Sequence, residues 1–325
     1  MSRAARLMAT LGTLVALGGC IAALLIWWVG RDGGPFGTHA ECRATVDGRT
    51  VQLTPEQARH AATIAAVGVE RGLPARAVTI ALATAYQESD IYNLSYGDRD
   101  SLGLFQQRPS QGWGTPEQIR DPVYSAGAFY DALVQVPDYR AMEVTVAAQE
   151  VQRSAFPNAY ADHEDDARIL ASALTGNSEA AFHCQFSPGD HATQAEGEDG
   201  LTDRARAVRD QLVTTFGDLD IGGFQPGGVD SGHVEGSAHY DGRALDVMLR
   251  PHDDADVNRR GWALAHWVTA FADDLGVATV IYDDKIWSAR RSDEGWRDYT
   301  HPSGNTEDVT LRHLDHVHID VVEGS

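Results

Sequence analysis

The sequence predicts three parts: one N-terminal transmembrane helix, a mainly α domain, and an α+β domain. Three observations predict this. Leu11 to Val29 runs for 19 residues without a charge, a length that at ~1.5 Å rise per residue nearly crosses a bilayer's hydrocarbon layer. Ala-rich stretches with helix-start signals fill the segment from Cys42 to Cys184, and strand-like runs crowd the last fifty or so residues of the chain.

Arg3 and Arg6 precede the apolar run, so the positive-inside tendency keeps residues 1–10 cytoplasmic and puts everything after the 11–29 anchor outside the plasma membrane, on a single-pass topology. Trp27 and Trp28 suit an interfacial belt at the outer end. A cleaved signal peptide is the rival reading, although its apolar region is usually shorter. Leu17-Gly18-Gly19-Cys20 is also similar to a lipoprotein box, but the apolar Ile21 to Val29 follows where a mature lipoprotein turns polar.

Residues 30–41 form a Gly-rich linker. Thr54-Pro55-Glu56-Gln57 then reads as a helix start, with Thr54 capping, Pro55 in the first turn and Gln57 completing a capping box. The same pattern recurs at Thr115-Pro116-Glu117-Gln118. The first domain is set at 42–186. From Ser187 to Gly200 the composition turns to Gly, Pro, Asp, Glu and Gln, as in a solvated connector. The second domain, 201–325, opens with helical patterns at Leu201 to Phe216 and Asn258 to Leu275, and continues with strand-like Val277 to Tyr282, Lys285 to Ser288 and His316 to Val322.

A formal charge of −21 and the lack of any basic stripe exclude a nucleic-acid partner, because phosphate binding needs clustered Lys and Arg. Of the three cysteines, Cys20 lies in the apolar run, which leaves Cys42 and Cys184 to pair in an oxidising compartment. Closing a loop of about 140 residues adds on the order of 4 kcal/mol in the chain-entropy model.

In the second domain, His239 and Asp246 stand seven positions apart around Gly242, and His316-Val317-His318 follows downstream. Residues i and i+2 of a strand share a face, so both downstream histidines look toward one point. Two imidazoles and one carboxylate make a three-ligand zinc site with the fourth position open for water. The stretch from Ser237 to Asp246, together with His316-Val317-His318, resembles the S-x-H-x-x-G-x-A-x-D and H-x-H signatures of the LAS metallopeptidases. That group includes lysostaphin, D-Ala-D-Ala carboxypeptidases and the hedgehog domain, and the resemblance covers roughly residues 201–322. It implies His239, Asp246 and His318 as zinc ligands, with His316 stabilising an oxyanion or steering water. It also implies Asp315, three positions before His318, as the candidate base, where related dipeptidases have Glu. His252, His266, His301 and His313 are read as surface or hydrogen-bonded residues.

In the first domain, Gln87-Glu88-Ser89 ends an apolar helical stretch and is followed by Ser101-Leu102-Gly103-Leu104-Phe105-Gln106. These resemble the E-S and G-L-M-Q motifs of lytic transglycosylases and goose-type lysozymes, which implies a lysozyme-like fold. The resemblance makes Glu88 the general acid, Ser89 and Gln106 substrate contacts, and Tyr160 the late aromatic hydroxyl. Asp98 and Asp100 are candidates for a second carboxylate, which hydrolysis normally needs and intramolecular transglycosylation does not. The combined expectation is a membrane-anchored enzyme that remodels peptidoglycan through glycan cleavage and a zinc peptidase. The alternative is a wall-binding or scaffold protein that keeps these folds without turnover.

Overall fold

In the computed structural model, which describes residues 40–325, the described part opens on a hairpin whose turn chemistry is plain. Strands β1 (Glu41–Val46) and β2 (Arg49–Leu53) are joined by Asp47-Gly48, both at positive φ, as a two-residue hairpin turn requires. Helices α1 (Pro55–Glu70) and α2 (Ala75–Ser89) follow, then α3 (Pro116–Ile119), α4 (Pro122–Leu133), α5 (Val144–Gln152) and α6 (Glu164–Leu174). Strand β3 (Phe182–Gln185) returns to pair with β1 and completes a three-stranded antiparallel sheet. Cys42 sits directly opposite Cys184 in that pairing, and the two form a disulfide.

Thr54 and Gln57 exchange both capping-box hydrogen bonds at the start of α1. The second box, at Thr115 and Gln118, opens only the single turn of α3, because Asp121 and Pro122 cap and restart the chain as α4.

The remaining elements are α7 (Asp203–Phe216), β4 (Ile221–Gly222), β5 (Ala244–Met248), α8 (Ala255–Ala270), α9 (Ala272–Leu275), β6 (Val277–Tyr282), β7 (Lys285–Ser288), β8 (Arg297–Asp298) and β9 (His316–Val321). The strands form a six-stranded antiparallel sheet ordered β4-β5-β9-β6-β7-β8. Helices α7 and α8 pack against it. Leu245, Val247, Val317 and Ile319 are buried among the core residues, while Asp246, Met248, His316 and His318 alternate with them on the other face.

Helix α1 joins everything. Its residues from Gln57 to Ala58 and from Ala61 to Gly68 are buried, because α2, α4 and α6 pack on it from the first part of the chain and α7 and α8 from the second. Its many alanines let five helices come close, and a Cβ added at Gly68 would lie 2.8 Å from Val78. At Gly176, also at positive φ, a Cβ would lie 1.9 Å from the Arg259 carbonyl oxygen of α8, so only glycine fits that contact.

The expected fold class is corrected by this arrangement. Instead of a mainly α lysozyme-like domain and a separate α+β domain, Glu41–Ser325 is one compact mixed α/β unit. No helix among the described residues is long and apolar enough to cross a membrane, and the expected span at Leu11 to Val29 lies outside the described residues. The physical reason for the mixed architecture is that the 61–68 stretch of α1 is buried all round and is covered from both parts of the chain.

His266 on α8 lies where the two parts of the chain meet. Its Nδ1 donates to the Ala173 carbonyl at 2.9 Å, its Nε2 has no hydrogen-bond partner among the described residues, and Phe182, Trp262 and Trp296 surround the ring. Burial pushes its pKa down to about 4, against the pull of the Ala173 carbonyl and with help from His183. Between that value and the ordinary 6.5 the unfolded chain binds a proton that the native ring refuses, so this residue makes stability rise with pH across the window. Its share is up to about 1.4 kcal/mol per pH unit. Urea unfolding of His266→Gln from pH 4 to 6.5 should show a shallower slope than the unsubstituted chain, and identical slopes would contradict this role.

Candidate metal centre

Strand register builds the site. Asp246 on β5 is the direct cross-strand partner of His318 on β9, and Met248 is the partner of His316 one rung further along. His239 comes from the short 3-10 turn Ala238–Asp241, which Ser237 caps through the His239 amide and which Gly242 closes at positive φ just before β5. The three side chains meet. His318 Nδ1 lies 3.0 Å from Asp246 Oδ1, His239 Nε2 lies 3.2 Å from His318 Nδ1, and His239 Nε2 lies 3.4 Å from Asp246 Oδ1.

Donor atoms at ~2.1 Å from a tetrahedral zinc ion stand about 3.4 Å apart, close to each side of this triangle. His239 Nδ1 donates to the Gly223 carbonyl at 2.7 Å, which leaves its Nε2 lone pair aimed at the other two atoms. Gly223 is itself part of the site: a Cβ there would lie 2.4 Å from His239 Cε1. Three acceptor atoms this close need positive charge among them, either a proton on His318 or a cation. The group can hold a metal ion.

The electrostatics point the same way. Burial works against charge on His318, but the Asp246 and Asp320 carboxylates outweigh it and raise its pKa to about 9. Burial likewise works against charge on Asp246, yet the closeness of the His239 and His318 rings holds its carboxyl well below the usual range.

His316 faces the same point, with Nε2 3.8 Å from Asp246 Oδ1. Its Nδ1 is held by Asp315 Oδ1 at 2.8 Å, and Thr310 donates to the other Asp315 oxygen at 3.1 Å. Asp315 is therefore behind the His316 ring, and the imidazole is the group presented to the triangle. Burial opposes ionisation of Asp315, but its bonds to His316 and Thr310 keep the carboxyl below its usual pKa.

Two further histidines complete the cluster. His233 stacks on the His239 ring with centroids 3.9 Å apart, and the Tyr240 hydroxyl brackets its backbone by accepting from the amide and donating to the carbonyl. His313 packs 4.6 Å from His316 and 5.7 Å from His318, and its buried Nδ1 has no hydrogen-bond partner among the described residues. Neither His233 nor His313 stands in a motif that marks it as part of the site. The five positions before His318 hold His313 and His316, but their common direction depends on the turn at His313, where φ is +55°. All these groups line an open cleft of about 550 Å³.

Residues 197–310 match the family model described as VldE, C-terminal domain. The matched stretch contains His239 and Asp246 and ends before His318. No curated protein matches the chain.

The other predicted residues lie in the first part of the unit. Half-buried Glu88, at the end of α2, accepts a 2.7 Å hydrogen bond from the Tyr160 hydroxyl. Burial keeps Tyr160 protonated by raising its pKa, so it is a donor to Glu88 throughout the ordinary pH range. The Ser89 hydroxyl lies within hydrogen-bond distance of the Ala85 and Leu104 carbonyls and ties the helix end to the following turn. The Gln106 amide donates to the Gly103 carbonyl at 3.2 Å, against the backbone at Gly97. Asp100 is taken up by Arg108 and the Ser110 amide, so it shapes a loop.

Removing one corner of the triangle should cost metal binding. His318→Ala or Asp246→Asn is expected to weaken zinc binding by at least ~100-fold in calorimetric titration. Ligand variants that bind zinc as tightly as the unsubstituted chain would sink the assignment.

Proposed function

We propose that the cleft is the active site of a zinc-dependent peptidase acting on peptidoglycan peptides, held in the chain part that resembles the LAS metallopeptidases. The observation that carries this reading is the triangle of two imidazole nitrogens and one carboxylate oxygen at 3.0–3.4 Å, opening onto a cleft beside His316. Two imidazoles and a carboxylate suit zinc, and an open fourth position suits catalysis over structure.

When bound, zinc supplies Lewis acidity that polarises a peptide carbonyl and makes water a nucleophile near neutral pH. The chain's own groups do the rest. With Nδ1–H given to Asp315, His316 presents an Nε2 lone pair to the triangle and is placed to take a proton from the attacking water. Asp315 acts through His316 by fixing its tautomer and orientation.

The Glu88–Tyr160 hydrogen bond favours a companion activity on the glycan strands of the same polymer. Glu88 is the general acid of a lytic transglycosylase or muramidase, positioned by Tyr160, with Ser89 and Gln106 shaping the adjacent turn. The disulfide supports an oxidising compartment, the side of the membrane on which peptidoglycan lies.

The test is incubation of the zinc-loaded chain with purified sacculi, with products identified by mass spectrometry. New peptide termini should vanish in His318→Ala and slow by ~100- to 10,000-fold in His316→Ala. New glycan ends should vanish in Glu88→Gln alone. A zinc-loaded chain that binds sacculi and releases nothing would replace this reading with a wall-binding scaffold.

A further inference from the structure

The cleft holds a cation with no acidic partner among the described residues. Among its lining residues only Arg243 and Arg250 carry a fixed positive charge. Arg243 is committed, pairing with Asp241 at 2.9 Å and donating to the Val321 carbonyl. Arg250 meets no carboxylate or carbonyl among the described residues; its guanidinium rests 3.8 Å from the Met248 sulfur. The lining carboxylates are occupied elsewhere: Asp246 and Asp320 lie beside His318, and Asp315 holds His316. Exposed on the wall of the cleft and without an acidic partner among the described residues, Arg250 is free to meet an anion of the substrate.

Its position is defined by the same ladder that builds the triangle. Asp246 pairs with His318, Met248 pairs with His316, and the Leu249 amide bonds the Asp315 carbonyl at 2.7 Å, so the ladder continues to the residue before Arg250. Asp246, Met248 and Arg250 all line the cleft, as alternate residues on one face do. With its guanidinium folded back over Met248, Arg250 offers its charge about one rung, or ~7 Å, from the ligand rung. One to two residues of extended peptide span that distance.

The geometry points to Arg250 as a carboxylate anchor. This rests on the peptidase reading of the cleft and narrows it: the substrate is a peptide that bears a carboxylate within two residues of the scissile carbonyl. A guanidinium matches a carboxylate with two parallel N–H donors, which fixes orientation as well as charge. The carboxylate comes either from the peptide's C-terminus or from an acidic side chain, and the two sources are separable.

Calorimetry and cleavage together test it with the full zinc-loaded chain. For binding, the probe is a dipeptide whose scissile amide is reduced to an uncleavable methyleneamine, prepared as the free acid, as the C-terminal amide, and as an amide carrying an acidic side chain. The unsubstituted chain should bind at least one carboxylate-bearing form roughly 10- to 100-fold tighter than the neutral amide. Arg250→Ala should erase that preference while binding the neutral amide unchanged, and Arg250→Lys should restore part of it. Which acid wins names the source of the carboxylate. In the cleavable series, the preference should fall on KM. Equal binding of acid and amide by the unsubstituted chain, or an equal loss of both in Arg250→Ala, overturns the anchor whatever the cleavage assay shows. Arg250-dependent acid preference without any cleavage upholds the anchor and overturns the peptidase reading instead.

Discussion

The pairing of β5 with β9 is the constraint on which the site depends. In that register Asp246 faces His318 and Met248 faces His316, and all four side chains point away from the helices that cover the sheet. A slip of β9 by one residue would turn His316 and His318 into the core and bring Val317 and Ile319 out, an exchange the buried apolar face forbids. The hydrophobic core therefore holds the chemistry in place. His239 is brought to the same point by a capped turn that leads straight into β5, and Gly223 leaves room for its ring.

The core that enforces this register belongs to both parts of the chain. Helix α1 is covered on one side by helices that precede the polar connector and on the other by α7 and α8, which follow it. Further ties cross between the parts: the Trp296 indole donates to the Phe182 carbonyl at 2.7 Å, and the Ser292 hydroxyl exchanges hydrogen bonds with the Phe186 backbone. The Cys42–Cys184 disulfide staples the first sheet at β1 and β3, and β3 lies against α8. Loosening either part exposes apolar surface of the other.

Much of this was legible residue by residue. Capping boxes at Thr54 and Thr115 carry their own chemistry, and strand period puts His316 and His318 on one face whatever the partner strand is. The hairpin at Asp47-Gly48 carries an equally local signal, while the Ala-rich patterns that follow it point to a mainly helical first part. Other features had no local signal. That α1 is shared between the two parts follows from burial on both sides, which a sequence window does not contain. Asp315 stands at the spacing of a base, but only the fold reveals that its carboxyl is spent on His316 and Thr310. His233 and His313 join the cluster through loops whose direction is set by backbone turns, and nothing in their immediate neighbours marks them.

The central claim is that His239, Asp246 and His318 close on one cation, and anomalous diffraction at the zinc edge tests it most directly. A crystal of the chain grown with zinc should show a single strong peak within ordinary bonding distance of His239 Nε2, Asp246 Oδ1 and His318 Nδ1 at once. A triangle that stays closed on itself through hydrogen bonds, with the zinc signal elsewhere or nowhere, would contradict it.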